Sequence, residues 1–320
     1  MDKHLYRKLR APLERGAVHV AVAIVPRLPR CGVLWMSEIC GRLGCAFGRK
    51  RQKIGMANLD LVFGDEKTRG EKQAILKKSS VTMARTLIDT FWFAHHPAER
   101  MSRYVKIDPS FNSFLEEKPC IGITAHFGNW EIMGQTMGHR GIPLSSIAMP
   151  VKNETVNKYL VRAREATGQK IIPRNGALRK LLGILRKNGK TAFLADQNTK
   201  ESDGGLWVDF FGLPVRVTGA PALLAARTGT EILMAFSMPE PGGHYTIYGT
   251  ECITPPNDTS NDALLQLTQH ITSATEKEIR KHPENWLWTY KRWRKYNRPE
   301  DAERYPFYAK PATKAESPKR

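Results

Sequence analysis

Apolar and polar positions along this chain follow two periods, and the switches between them mark its elements. Residues 120–125, Cys-Ile-Gly-Ile-Thr-Ala, form a short apolar run entered from Pro119, which predicts a buried strand. From Glu131 onward the pattern predicts a helix. Further apolar runs over 144–149, 191–195 and 231–236 predict strands, and 244–252 predicts one with partial alternation. Between them, 154–167, 177–186 and 220–227 read as helices, the first stopped by Gly168 and the second ending near Asn188-Gly189. On either side, 66–93 and 262–281 read as longer helices, the earlier one closed by His95-His96-Pro97. Phe210-Phe211-Gly212-Leu213-Pro214 reads as an aromatic turn. Strands alternating with helices over 120–236 predict an α/β fold, a largely parallel central sheet flanked by helices.

The N-terminal pattern differs. Residues 17–25 are apolar except for His19, prolines and arginines interrupt 26–30, and 31–47 is mostly apolar but carries Glu38 and Arg42. Spanning a bilayer takes about 20 apolar residues in a run, and neither piece reaches that. Arg49-Lys50-Arg51 and Lys53 follow at once. Apolar segments flanked by cations suit a hydrophobic, membrane-associating helical segment on an anionic surface; the alternative is a buried helical hairpin. The chain therefore divides into residues 1–48 as this segment, 49–297 as a catalytic domain, and 298–320 as a loose polar tail.

Charge narrows the partners. The 320 residues carry a formal net charge of +19, with 12 Lys or Arg against four Asp or Glu in the first 60. That balance calls for an anionic partner: a membrane surface, a nucleic acid, or an acidic protein or substrate. A basic nucleic-acid-binding protein is the competing class, but no zinc, helix-turn-helix or RNA-recognition signature accompanies the charge, which clusters beside apolar segments. Five cysteines with no Cys-x-x-Cys pair point to a reducing compartment without a disulfide framework. His95 and His96 are adjacent and point apart on a helix, so no metal is expected there, and no cofactor is expected.

The chemistry concentrates at His126-Phe-Gly-Asn-Trp-Glu131. His126 closes a strand and Glu131 falls in the first turn of the next helix, so the turn brings both side chains to the crevice where open α/β sheets bind ligands. A carboxylate accepting from one imidazole nitrogen fixes the tautomer and leaves the other nitrogen as a general base. Gly128 and Asn129 suit the turn. The plain alternative is a strand-end histidine with a glutamate favoured by the helix dipole.

This stretch resembles the His-x-x-x-x-Asp/Glu signature of the glycerolipid acyltransferase superfamily, and specifically the bacterial late acyltransferases of lipid A biosynthesis, the lauroyl/myristoyl family. Three further stretches agree in order: Asn58-Leu59-Asp60-Leu61-Val62-Phe63, Phe210-Phe211-Gly212-x-Pro214, and His282-Pro-x-x-Trp286-x-Trp288 continuing to Arg292-Trp293, with Tyr290 where relatives often carry His. The resemblance implies acyl transfer in lipopolysaccharide biosynthesis, from an acyl carrier protein thioester to a hydroxyl of a phosphorylated glycolipid precursor, at the cytoplasmic face of the cell inner membrane. Another glycolipid or a lysophospholipid is the nearest alternative acceptor. Direct transfer then needs no Ser or Cys nucleophile, with His126 as base and Glu131 orienting it. Arg164 is the candidate oxyanion donor, together with backbone N–H groups near Gly128 and Asn129; a solvated helix cation is its alternative reading. Asp196 and Gln197, after the strand at 191–195, either orient substrate or cap the following loop. The Trp cluster reads as core and interface packing rather than a ligand site.

Overall fold

Parallel pairing builds the centre of the molecule. In the computed structural model, which describes residues 16, 18–147, 153–173 and 176–312, strand β2 (Cys120–Thr124) lies between β5 (Lys190–Leu194) and β8 (Ile232–Pro239), parallel to both. Strand β3 (Leu144–Ile147) adds to β5, and β4 (Lys170–Ile172) to β3, again parallel. On the other side β9 (Tyr245–Ile253) returns antiparallel along β8, and β1 (Val105–Ile107) pairs with β9. The seven strands lie in the order β1-β9-β8-β2-β5-β3-β4. All five residues of β2 are buried, as a strand covered by helices on both faces must be; hence its unbroken apolar run. Strand β9 alternates buried with half-exposed residues over 245–248 and is half-exposed or exposed over 249–252, so one of its faces meets solvent.

Helices α1 (Arg30–Phe47), α2 (Arg49–Phe63) and α3 (Arg69–Phe93) precede the sheet. A capping box starts α3: the Thr68 side chain accepts from the Glu71 amide while Glu71 reaches back to the Thr68 amide. Helix α4 (Trp130–His139) follows β2, α5 (Glu154–Glu165) follows β3, α6 (Ala177–Leu185) follows β4, α7 (Ala220–Thr228) precedes β8, and α8 (Asn261–Lys281) comes after β9. Alternation along β5 divides the apolar interior between the two faces of the sheet. Ala192 packs with Phe111, Phe114, Met137 and Leu144 on one face; Phe193 packs with Ala177, Leu181, Leu224 and Trp286 on the other.

Several expectations change. Strands β1 and β4, three residues each, are too short to leave a periodic signal. The aromatic turn is the tip of a hairpin, β6 (Gly205–Phe210) with β7 (Leu213–Thr218). Its two turn residues, Phe211 and Gly212, have φ of 51° and 73°, the left-handed pair that matches strand twist in a two-residue loop. Residues 298–312 are not loose: a 3-10 turn over Pro299–Arg304 and a two-residue parallel bridge carry Tyr305 and Tyr308 into the interior. Aromatic area outweighed the polar composition there.

Among the described residues no helix is long and apolar enough to cross a membrane. Helix α1 instead buries a narrow strip, Arg30, Val33, Ser37 and Gly41, against the domain. A Cβ at Gly41 would overlap the Val81 backbone, so α1 and α3 approach closely there. The opposite side of α1 exposes Trp35 at 70%, Leu43 at 50% and Phe47 at 82%. Residues 1–15 and 17 of the expected membrane-associating segment, 148–149 of the expected strand and 313–320 of the expected tail lie outside the described residues.

Candidate active site

The turn from β2 into α4 is fixed by two residues. Gly128 has φ of +55°, and a Cβ on it would overlap the Ser237 carbonyl oxygen of β8, so only glycine fits. Asn129 caps α4, its Oδ1 accepting from the Ile132 amide at 3.1 Å. The Asn129 Nδ2 points to Asp89 Oδ2 at 3.4 Å, and Asp89 in turn holds a buried ion pair with Arg30 and accepts from Tyr245. Helix α1 is thereby braced, through α3, against the cap of α4.

Parallel register sets the central pair. Thr124 of β2 faces Leu194 of β5, and two residues further on, His126 faces Asp196. The His126 Nδ1 lies 2.8 Å from Asp196 Oδ1, and the His126 amide donates to Asp196 Oδ2 at 3.0 Å. The Trp286 indole N–H donates to the same Oδ2 at 2.8 Å. Asp196 is buried, and burial alone would raise its pKa; the charge and hydrogen bond of His126 and the indole bond outweigh this and hold it below the ordinary carboxylate value. For His126, burial pulls the pKa down, but the charge and hydrogen bond of Asp196, helped by the charge of Glu131, hold it above the free imidazole value. With Asp196 on Nδ1, the other ring nitrogen, Nε2, is 3.2 Å from the Gln197 carboxamide.

The carboxylate hydrogen-bonded to His126 is therefore Asp196, where the sequence pattern had pointed to Glu131. The Glu131 oxygens are already engaged: Arg164 donates through Nε to Oε2 at 2.8 Å and through Nη2 to Oε1 at 2.7 Å, and the Trp130 indole donates to Oε1 at 2.9 Å. Arg164, expected as an oxyanion donor, spends that fork on Glu131 in a bidentate pair. The backbone donors expected near the turn are also committed, Gly128 N–H to the Asn285 carbonyl at 2.9 Å and Asn129 N–H to the Ser237 carbonyl at 3.4 Å. Gly128 and Asn129 are buried turn residues outside the cavity wall, and Asp196 sits behind the imidazole; Gln197, expected beside it, does line the cavity.

That cavity has a volume of about 1120 Å³. His126, Trp130, Glu131, Arg164 and Gln197 surround its centre. It extends along apolar walls on both faces of the sheet, to Phe111 and Phe114 on the α4 side and to Leu178 and Leu223 on the other. Beside the hairpin its wall is polar and cationic, with Asn198, Lys200, Arg216, Arg294 and Lys295.

The remaining motifs support this centre from behind. Asn58 Nδ2 donates to the Trp288 and Tyr290 carbonyls at 2.7 and 2.8 Å. The Tyr290 hydroxyl accepts from the Asn198 amide at 3.1 Å. Trp286, Trp288 and Trp293 are fully buried; Trp286 and Trp293 pack with Phe210, and Trp288 packs edge-on against Trp286. Arg292, which the sequence motif contains but to which sequence reasoning gave no role, is wholly buried and donates through Nη1 to Asn198 Oδ1 at 2.9 Å and to the Arg216 carbonyl at 3.1 Å. Burial draws its pKa down to about 10. An arginine inside a Trp-rich motif carries no signal that would separate it from a surface cation.

The chain is similar to several known proteins. The model of a family described as bacterial lipid A biosynthesis acyltransferase matches residues 4–295. The chain is 27% identical over 172 residues to a phosphatidylinositol mannoside acyltransferase of Mycobacterium tuberculosis, covering 52% of each protein. It thus spans about half the length of that relative. It is 22% identical over 272 residues to the lipid A biosynthesis palmitoleoyltransferase of Escherichia coli, covering 84% of this chain and 87% of that one. A crystal structure of a 1-acyl-sn-glycerophosphate acyltransferase from Thermotoga maritima superposes with a TM-score of 0.38 at 12% identity, over 81% of this chain and 99% of the other.

Proposed function

The chain belongs to the bacterial lipid A biosynthesis acyltransferase family, and from that membership we propose that it moves a fatty acyl chain from an acyl carrier protein thioester to a hydroxyl of a phosphorylated lipid A precursor, with His126 as general base. The observation that carries the reading is His126 itself: its Nδ1 is held by a buried carboxylate, and its Nε2 lies toward Gln197 on a cavity with apolar arms. A hydroxyl is a weak nucleophile until its proton is taken in the transition state. The acceptor hydroxyl takes the place of the Gln197 carboxamide at Nε2 and gives up its proton there as its oxygen attacks the thioester carbon. The new C–O bond forms, the C–S bond breaks, and the imidazolium returns the proton to the departing thiolate, so ester and thiol are the products. Asp196 holds the tautomer and stabilises the imidazolium. Glu131 acts on His126 through its charge, and Arg164 fixes that charge in place.

The lipid A acyltransferase family and the cations Lys200, Arg216, Arg294 and Lys295 support an anionic acceptor. The exposed apolar side of α1, followed by Arg49, Lys50 and Arg51, supports work at the cytoplasmic face of the inner membrane. A different glycolipid acceptor is the second reading, favoured by the likeness to a phosphatidylinositol mannoside acyltransferase. Mass spectrometry of purified chain incubated with acyl carrier protein thioester and each acceptor class separates the two. The expected product is a lipid A precursor heavier by one acyl group; acylation of other lipids alone rejects that acceptor.

A further inference from the structure

We propose that the cavity holds two hydrocarbon chains at once, one on each face of the sheet, and that the arm beside the hairpin takes a chain of the acceptor lipid. This rests on the acyl-transfer reading above and adds to it a site for the acceptor's own tail. The two arms are physically distinct. On the α4 side the wall is Phe111, Phe114, Met133, Met137, Leu144 and Ala235, members or neighbours of one apolar cluster. On the opposite side it is Ala177, Leu178, Leu206, Ala220, Leu223 and Leu264, several of which pack on the other cluster. Consecutive β5 residues belong to different arms, Ala192 to the first and Phe193 to the second, because side chains alternate across a strand. Both arms reach the carboxyl ends of β2 and β5, where His126 stands.

Their walls assign them. The first arm is lined by buried apolar side chains, among them Phe111 and Phe114 with ring centroids 5.2 Å apart, which suits the hydrocarbon of a donor chain. The second arm reaches the surface at Leu178, which is exposed, and there Leu178 and Leu223 also wall a separate, smaller cavity of about 190 Å³ with Leu182, Leu224 and the exposed Arg179 and Arg227. The cationic wall adjoins this arm. Arg216 sits opposite Trp207 in the hairpin, its guanidinium over that ring at 5.2 Å, one register step from Leu206. Lys200, Arg294 and Lys295 line the same region. Around the first arm the cavity's cation is Arg164, paired with Glu131; around the second, four cations face Asp203 and Glu201, the latter 3.8 Å from Arg216, and leave that wall net positive. Cations beside an apolar arm suit an acceptor whose anionic headgroup and tail lie side by side, whereas the donor's phosphodiester stands at the far end of its pantetheine arm from the thioester and its chain. Both substrates are then present together, and His126 lies where the acceptor hydroxyl meets the thioester.

The test uses the full chain, dodecanoyl and tetradecanoyl acyl carrier protein as donors, and two phosphorylated glycolipid acceptors. The acceptors share headgroup and reacting hydroxyl and differ by six methylenes in their tails. The wild-type KM for the short-tailed acceptor is expected to exceed that for the long-tailed one at least tenfold. Leu178→Trp and Leu223→Trp are expected to raise the long-tailed KM about tenfold while the preference between donors stays fixed. Ala192→Leu, in the first arm, is expected to shift donor preference toward the shorter chain and leave acceptor KM in place. Leu178 is exposed, so its variant gives the answer even where a buried substitution fails to fold. Equal wild-type KM for both acceptors overturns the inference, as does a second-arm variant that alters donor preference instead. Failure of wild type to acylate any lipid hydroxyl overturns the function reading itself, a separate result.

Discussion

At the scale of single residues, the chemistry rests on an imidazole between a buried carboxylate and a substrate cavity. His126→Ala removes the proposed proton acceptor, and a fall in kcat of at least 10³-fold with an unchanged circular dichroism spectrum is expected. Asp196→Asn keeps the shape and the acceptor but loses the charge that stabilises imidazolium, so a loss of about 10²–10⁴ in kcat with little change in KM is expected from steady-state kinetics. Arg164→Ala strands the buried Glu131 carboxylate. The single variant should lose turnover and stability, while Arg164→Ala combined with Glu131→Gln should lose less than the two singles added together. Denaturant melts should then give a coupling of about 1–3 kcal/mol; strict additivity would mean that the pair does not act as a unit.

At the scale of elements, the strand, turn and helix around His126 form one local unit, and most of it was legible in the sequence. The apolar run before His126, the Gly-Asn turn and the helix after it follow from local rules of burial and capping. Gly128 carries the strictest demand. Gly128→Ala would drive a methyl into the Ser237 carbonyl at a positive φ, and a destabilisation above about 2 kcal/mol is expected, read from thermal unfolding. The partner of His126 was not legible. Asp196 was visible as a polar residue after a strand, but its pairing follows from the register of β5 on β2, a contact 70 residues apart that no local pattern encodes. Glu131, five positions from His126, looked like the partner because proximity in sequence is all a sequence shows; its commitment to Arg164 comes from the packing of α5. Short strands β1 and β4, and the burial of Tyr305 and Tyr308, were hidden for the same reason.

At the scale of the whole molecule, two surfaces serve one crevice. The exposed Trp35, Leu43 and Phe47 on α1, with Arg49 to Arg51 beyond them, form a face suited to an anionic lipid surface. Trp35→Ala with Phe47→Ser is expected to weaken sedimentation with vesicles containing anionic lipid, and added salt to weaken it further; binding unaffected by both would move the membrane contact elsewhere. Inward, the buried Arg30–Asp89 pair links that face to the cap of α4. Everything converges on the claim that neutral His126, tuned by Asp196, takes the acceptor's proton. The most direct test is kcat/KM against pH for wild type and Asp196→Asn. The negative neighbours raise the His126 pKa, and the base works only when neutral, so activity should fall on the acid side with an inflection above about 6.5. Removing the Asp196 charge should move that inflection to lower pH. An acid limb that stays in place when Asp196 becomes asparagine would contradict the account.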